Sequence, residues 1–149
     1  MTTARDIMSN KVVTMESSVS AADIAKIMEK NKVSSVIITK DQKPIGIITE
    51  RDLVSKIISH NKKPSEVKTI DIISYPLVVV SPLTPVDEVA EKMIDRKIRR
   101  VVVMDMDQPS GIITVTDFVK HLHKMLVDNV DYKQDVYQHL IEDWEYWIP

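Results

Sequence analysis

Apolar residues recur with helical spacing in two stretches of the chain, at relative positions i, i+3, i+4 and i+7. The first stretch follows Ser20, a favourable N-cap residue, and the second follows Pro85, a residue type common where helices begin. The two patterns predict two amphipathic helices. Their apolar stripes are Ala21, Ile24, Ala25 and Met28, and Val86, Val89, Ala90 and Met93.

Short runs rich in β-branched residues predict strands around these helices. Each helix is preceded by one strand and followed by two strands that a polar turn separates, which is a hairpin pattern. A second helix then follows in each half. The predicted strands are 12–14, 36–39 and 45–48, then 77–80, 101–104 and 112–113, and the second helices are 50–59 and 115–125. Each half is therefore a β-α-β-β-α unit, and the fold class is α/β (α+β-like).

The two halves are copies of one unit. When residues 6–54 are aligned without gaps to residues 71–119, 15 of the 49 pairs are identical, against about three expected from ordinary composition. The phrase Pro-x-Gly-Ile-Ile-Thr-x-x-Asp occurs in both copies. Because a unit of about sixty residues is marginal alone, we expect the two copies to pack pseudo-symmetrically around one shared core.

Composition excludes several classes of protein. The chain has 2 glycines, Gly46 and Gly111, too few for the Gly-rich phosphate loops of Rossmann and P-loop proteins. It has no cysteine, which excludes disulfides, thiolate metal sites and cysteine nucleophiles. The longest aliphatic runs are too short to cross a bilayer. We therefore expect a cytoplasmic protein with no membrane partner.

The repeats resemble the CBS-domain family in its tandem arrangement, the Bateman module. The resemblance covers residues 5–124 and is carried by two copies of G-I-I-T-x-x-D, with V-S-S-V-I-I and I-R-R-V-V-V before the hairpins. It implies a regulatory module that binds adenosine compounds in clefts between the repeats. It also implies that each cleft joins the Thr-x-x-Asp of one repeat to the leading strand and pre-hairpin residues of the other.

The Thr-x-x-Asp motif has two interpretations. In the ligand interpretation, the aspartate accepts hydrogen bonds from the diol of a ribose, and the threonine at the helix N-terminus binds a phosphate. A structural interpretation makes the same residues a capping box that stabilises the helix alone. The recurrence and the resemblance favour at least one working nucleotide cleft, with Ile47, Ile48, Ile112 and Ile113 as walls for the base.

We call the two predicted sites the first cleft and the second cleft. The first cleft contains Thr49, Asp52 and Ile47 with Val78, Val79, Ile98, Arg99 and Arg100. The second cleft contains Thr114, Asp117, Ile112 and Ile113 with Thr14, Val33, Ser34 and Ser35. Glu50 would compete with a phosphate in the first cleft, although Arg51 could counter it, so we favour the second cleft for phosphorylated ligands. Arg99 and Arg100 are predicted to bind phosphate.

The segment after the repeats differs from them in composition. The chain divides into a first repeat with its linker at 1–65, a second repeat at 66–125, and a predicted acidic, aromatic-rich helix at 126–149. From 128 to 149 six acids face one lysine, and five of the seven aromatics of the chain lie there. Docking onto its own repeats and contact with another subunit or partner remain equally open.

The functional prediction is a regulatory module for AMP, ADP or ATP that signals to an unidentified protein partner. We expect no catalysis, no metal site and no required cofactor, because no nucleophile pattern or convincing histidine cluster is visible. An S-adenosylmethionine-type sensor and a nucleic-acid-binding protein are the alternatives. We expect a homodimer through the second helices, whose apolar residues are Leu53, Val54, Ile57, Ile58, Phe118, Val119 and Leu122.

Overall fold

The computed structural model describes residues 1–128 and confirms the α/β class: it contains two three-stranded sheets with helices packed around them. The first repeat contains α1 (Ala4–Ile7), β1 (Thr14–Glu16), α2 (Ala21–Asn31), β2 (Ser35–Lys40), β3 (Lys43–Thr49) and α3 (Glu50–Lys56). Three 3₁₀ turns follow, at Ile58–His60, Pro64–Glu66 and Thr69–Asp71. The second repeat contains β4 (Val79–Val80), α4 (Val86–Arg96), β5 (Arg100–Asp105), β6 (Gln108–Thr114) and α5 (Val115–Asp128).

Local sequence accounts for the helix ends. Ser20 caps α2, because its hydroxyl accepts a hydrogen bond from the Asp23 amide and the Asp23 carboxylate accepts one from the Ser20 amide. The helix stops at Lys32, which has a left-handed backbone. In the second repeat α4 stops in the same way at Lys97. Helices α2 and α4 therefore end at equivalent positions, and each is followed by a lysine rather than a glycine.

The two sheets have the same order and register. In each, a parallel leading strand pairs with the first strand of an antiparallel hairpin: β1 with β2 and β2 with β3, then β4 with β5 and β5 with β6. Each hairpin turns through two residues with positive φ, 41–42 and 106–107. That geometry belongs to the tight turns that match strand twist. The hairpins direct both Thr-x-x-Asp motifs to the strand end where the second helix begins.

Several predicted boundaries differ from the structure. The leading strands are 14–16 and 79–80 rather than 12–14 and 77–80, because only these residues reach the hairpins. Helix α3 ends at Lys56 and gives way to a 3₁₀ turn, whereas α5 continues to Asp128. Most of the predicted C-terminal helix lies outside the described residues. No helix within residues 1–128 is long and apolar enough to cross a membrane.

The core is divided, which corrects the expectation of one shared core. One buried cluster lies under β1–β3 and the other under β4–β6. The repeats are instead joined by an exchange of their leading segments. Ala4 is buried in the second cluster, and Ile72 and Ile73 are buried in the first. Backbone hydrogen bonds fix the exchange: Ser9 pairs with Ile112, and the repeat-related Ser74 pairs with Ile47.

Candidate functional site

Both Thr-x-x-Asp motifs form capping contacts at the start of the second helices, and in the first repeat the reciprocal capping box is complete. The Thr49 amide donates to Asp52 Oδ2 at 2.8 Å, and the Thr49 hydroxyl donates to the same oxygen at 3.2 Å. In the second repeat the Thr114 amide and hydroxyl donate to Asp117 Oδ2 at 2.7 and 3.1 Å. The capping interpretation is therefore correct for both motifs. Any ligand must use the remaining oxygen, Oδ1, of each aspartate.

Asp52 has no such oxygen to offer. Its Oδ1 accepts a hydrogen bond from the Ser74 hydroxyl at 3.2 Å and forms an ion pair with Lys56 Nζ at 2.9 Å. The side chain is 9% exposed. Lys56 is held in place by a second bond, to the Ile72 carbonyl at 2.9 Å. The first cleft is thus closed at its carboxylate by the protein's own groups.

Asp117, unlike Asp52, has a second carboxylate oxygen without a hydrogen-bond partner among the described residues. Its Oδ1 accepts no hydrogen bond from residues 1–128, and the side chain is partly exposed. Part of the difference follows from the residue four positions later in the helix, because His121 replaces Lys56 at the repeat-related position. The other part is the hydrogen bond from Ser74 to Asp52. The lysine four residues after Asp52 was therefore the sequence signal for a closed site.

A cleft of about 280 Å³ lies beside Asp117, between the two repeats. It contains six of the residues predicted for the second cleft, drawn from both repeats. These are Val33, Ser34, Ser35, Ile112, Thr114 and Asp117. The cleft thus joins the pre-hairpin segment of the first repeat to the Thr-x-x-Asp of the second, as the resemblance implied.

Two predicted residues of the second cleft lie elsewhere. Ile113 is fully buried in the second core, because neighbouring strand residues point to opposite faces and Ile112 takes the cleft face. Thr14 is exposed on β1, opposite Ile37, and does not line the cleft. Val12 and Val13, just before the strand, line it instead.

Three lysines line the second cleft that sequence reasoning did not select: Lys11, Lys32 and Lys120. Each is exposed, and none forms an ion pair or side-chain hydrogen bond with another residue of the described chain. They come from three separate segments, so no local sequence motif predicts them. Ser9, Ile37 and Thr116 complete the lining.

Arg100 links the two predicted clefts. It was assigned to the first, yet its Nη1 donates to the hydroxyl of Ser34, a residue of the second cleft, at 2.9 Å. Burial lowers the pKa of the Arg100 guanidinium from its usual value, while the nearby carboxylates Glu50 and Asp52 oppose that shift. Arg100 is thus a partly buried cation that lies near both clefts. Arg99, its neighbour, is exposed.

The other residues predicted for the first cleft serve mainly in packing. Val78 and Ile98 pack against the second core. The backbone of Ile47 is engaged in its pairing with Ser74. Val79 is exposed, and its carbonyl accepts a hydrogen bond from Lys92 Nζ at 2.8 Å. Within residues 1–128 no group of three or more His, Asp or Glu side chains is arranged to hold a metal ion.

The apolar residues that the sequence predicted on the second helices are partly buried and partly exposed, and Ile57 and Ile58 lie just after α3. Ile57, predicted at a subunit interface, is 1% exposed and belongs to the first core. Val54 and Ile58 are 56% and 64% exposed, and Leu122 and Met125 are also exposed. The homodimer therefore stays a prediction that rests on this smaller set of side chains.

Comparison with known proteins gives a consistent result. A family model described as the CBS domain matches residues 4–59 and matches again at 67–124. An uncharacterized protein from Methanopyrus kandleri is 38% identical over 117 residues, a match that covers 77% of this chain and 60% of that protein. The chain thus spans less than two thirds of this relative's length.

Two solved structures share the fold. A hexameric CBS-CP12 protein from bloom-forming cyanobacteria has a TM-score of 0.75 and 34% identity, covering 80% of this chain and 70% of that one. A CBS-domain pair in complex with 5′-methylthioadenosine and S-adenosyl-L-methionine has a TM-score of 0.75 and 30% identity. That match covers 84% of this chain and 98% of the other.

Proposed function

The chain belongs to the CBS-domain family as a tandem pair, and from that premise we propose that it is a non-catalytic regulatory module for an adenine nucleotide. The observation that carries the proposal is the second cleft, where Asp117 Oδ1 accepts no hydrogen bond from residues 1–128 and lies beside residues of both repeats. A ligand there would contact both halves of the molecule at once. That is the arrangement a sensor needs, because binding then favours one relative placement of the repeats.

The composition of the cleft supports an adenosine moiety. A ribose diol can donate to the open carboxylate oxygen of Asp117, an interaction that a charged acceptor strengthens. Apolar side chains supply a slot for the base, with hydroxyl groups around it. The apolar residues are Val12, Val13, Val33, Ile37 and Ile112, and the hydroxyl groups belong to Ser9, Ser34, Ser35, Thr114 and Thr116.

The charge of the cleft supports a phosphorylated ligand. Among the described residues that line it are three lysines, Lys11, Lys32 and Lys120, against one carboxylate, that of Asp117. Since that carboxylate already accepts two hydrogen bonds from Thr114, its charge is partly compensated. The net field at the cleft favours an anion. AMP, ADP and ATP are therefore the ligands we propose, with no cofactor required.

Binding would be transmitted through the starts of the second helices. The Ser34 carbonyl accepts a hydrogen bond at 3.0 Å from the amide of Glu50, the first residue of α3. Thr114 and Asp117 cap α5. A nucleotide that contacts Ser34 and Asp117 therefore acts on the starts of both helices. Their outer faces carry exposed apolar side chains that a second copy or a regulated protein can bind.

Calorimetry on the full chain tests the proposal. Asp117→Ala is expected to weaken ATP binding by about 10- to 100-fold, the effect of losing a hydrogen bond to a charged group. Asp52→Ala is the matched control, because it removes the same capping box from the repeat whose carboxylate is closed. An equal loss in the two variants, with both folded, contradicts the assignment of the second cleft.

An S-adenosylmethionine-type ligand is the second candidate, favoured by the 30% identical CBS pair that binds such compounds. The sulfonium is positively charged, so the three cleft lysines oppose it. The same calorimetric panel, extended to S-adenosylmethionine and 5′-methylthioadenosine, separates the two candidates. Tighter binding of either compound than of every nucleotide would select the second candidate.

A further inference from the structure

The second cleft has, around Asp117, counterparts of the two donors that close the first cleft. In the first repeat, Asp52 Oδ1 is held by the Ser74 hydroxyl at 3.2 Å and by Lys56 Nζ at 2.9 Å. The repeat-related residues, each 65 positions away in the sequence, are Ser9, Asp117 and His121. All three lie in the second cleft or beside it. The first repeat therefore shows, within the same molecule, what a closed second cleft would look like.

Ser9 occupies the place that Ser74 has in the other repeat. Its amide and carbonyl pair with Ile112 at 2.9 and 3.0 Å, as those of Ser74 pair with Ile47. The Ser9 hydroxyl, however, accepts a hydrogen bond from the Lys11 amide at 3.3 Å and is not bonded to the neighbouring motif aspartate. Because the backbones match, a change of rotamer gives this hydroxyl the position from which Ser74 reaches its carboxylate.

His121 occupies the place of Lys56. It lies one helical turn after Asp117 on α5, a spacing that brings two side chains together. Both residues line a cavity of about 580 Å³ between α1 and α5, which we call the outer cavity. No hydrogen bond or ion pair joins them in the structure of residues 1–128. A lysine is charged throughout the physiological range, whereas a histidine side chain ordinarily gains its charge near pH 6.5.

Other charged groups face His121 from α1 and from its own helix. On α1 the group is Asp6, whose pKa is lowered by hydrogen bonds from the Thr3 amide and hydroxyl, with the amino terminus close by. The remaining charged groups are Asp117, Lys120 and Lys124 on α5, and Lys11 and Lys32 across the second cleft. Strand β6, which also packs against α5, has no ionisable side chain. Since carboxylates and lysines ordinarily titrate far from pH 6.5, the histidine is the side chain here that changes charge around that pH.

We propose that protonation of His121 closes the second cleft. The imidazole takes a proton from solvent, and the imidazolium and the Ser9 hydroxyl then donate to Asp117 Oδ1. The resulting arrangement is the one already present around Asp52. A charged donor bonds a carboxylate more strongly than a neutral one, so loss of the proton returns the cleft to the open state seen in the structure.

The proton and the ligand then compete for one carboxylate oxygen. Closure favours the protonated histidine, so ligand binding is weaker below pH 6.5 than above it, and the coupling is reciprocal. Ion pairs of this kind shift an equilibrium by about two- to fivefold, and His121 is half-buried. The effect on the ligand rests on the proposed function, because it needs a ribose at Asp117. The closure itself does not.

Calorimetry with adenosine tests the effect on the ligand. Adenosine is the probe because it lacks phosphate, whose own charge changes near pH 6. We expect the full chain to bind adenosine about two- to fivefold more weakly at pH 5.5 than at pH 7.5. His121→Gln should bind equally at both pH values, and His121→Lys should bind weakly at both, because it copies the first repeat.

Two comparisons keep this measurement specific. His60→Gln replaces an exposed histidine that lines neither cavity, so it should keep the wild-type pH dependence. His121→Gln retains the amino terminus, so a contribution from that group would persist in this variant. Equal wild-type affinity at the two pH values, or the same loss in His121→Gln as in the wild type, overturns the proposal.

A double-mutant cycle without ligand tests the closure itself. Urea unfolding is measured for the wild type, His121→Gln, Asp117→Asn and the double variant, and any loss of the helix cap cancels in the cycle. We expect coupling of about two- to fivefold in the unfolding equilibrium constant at pH 5.5 and none at pH 7.5. A parallel cycle with Asp6→Asn examines the other carboxylate that faces the histidine.

The outcomes of the cycles are distinct. Absence of coupling between positions 117 and 121 at pH 5.5, or coupling of His121 to Asp6 alone, overturns the proposal. If the coupling is present but adenosine binds at neither pH, the closure stands and the proposed function fails.

Discussion

Replacing Asp52 with alanine should cost more folding free energy than replacing the repeat-related Asp117, the reverse of the order we expect for nucleotide binding. Both substitutions remove the carboxylate that caps a helix, which costs about 1 kcal/mol in each case. Asp52 has two further partners, Ser74 and Lys56, and is almost completely buried. Asp117 has no partner beyond its cap among the described residues.

The extra cost follows from those two partners. The lost Ser74 bond contributes about 1 kcal/mol. The lost ion pair contributes up to about 1 kcal/mol, because Lys56 is 38% exposed and solvent screens it. Asp52→Ala is therefore expected to lose about 2 to 3 kcal/mol, against about 1 kcal/mol for Asp117→Ala. The corresponding fall in Tm is about 5 to 10 °C against about 3 °C.

Urea denaturation followed by far-UV circular dichroism measures both losses on the full chain without ligand. A double-mutant cycle with Lys56→Ala isolates the coupling between Asp52 and Lys56. The argument is refuted if Asp117→Ala is as destabilising as Asp52→Ala, or if the cycle shows no coupling. Equal losses would mean that the two aspartates act only as caps.

Four further variants test other features of the molecule. Arg100→Ala should weaken ATP binding by about tenfold and adenosine binding much less, because a guanidinium acts on phosphate; calorimetry that shows equal losses would assign the side chain to packing. Gly46→Ala should destabilise the protein by about 2 kcal/mol, since an added Cβ would lie 2.7 Å from the Ser74 carbonyl oxygen. Gly111→Ala should cost less in the same urea titration, because its closest atoms belong to a flexible methionine side chain. Ile58→Lys should convert the expected homodimer to a monomer in light scattering, and a persistent dimer would exclude the 3₁₀ turn after α3 from the interface.

The architecture was readable from the sequence because its signals are local and occur twice. Helical spacing after Ser20 and the two polar turns specify the helices and hairpins, and the 65-residue recurrence specifies the symmetry. The leading strands were misplaced because a strand of two or three residues is defined by its partner. Val79 and Val80 form a strand only where β5 lies beside them.

The second cleft was predicted only in part. The recurring Thr-x-x-Asp motif marks Thr114 and Asp117, and the resemblance added Ser34. Lys11 and Lys120 were missed because they reach the cleft from separate segments, and no spacing rule connects such residues. One of the two contacts that close Asp52 could be predicted from the sequence, because Lys56 lies four residues after it. The other contact, with Ser74, depends on the exchange of segments between the repeats.

That exchange has a consequence for how the chain acquires its structure during synthesis. The first core cannot be completed until Ile72 and Ile73 have emerged from the ribosome, well after the first repeat ends at α3. Ala4 becomes buried later still, because the strands and helix that cover it belong to the second repeat. Neither half can reach its final packing by itself in chain order. A fragment of residues 1–65 therefore lacks part of its hydrophobic core. The two repeats should fold in a single cooperative transition near the end of translation.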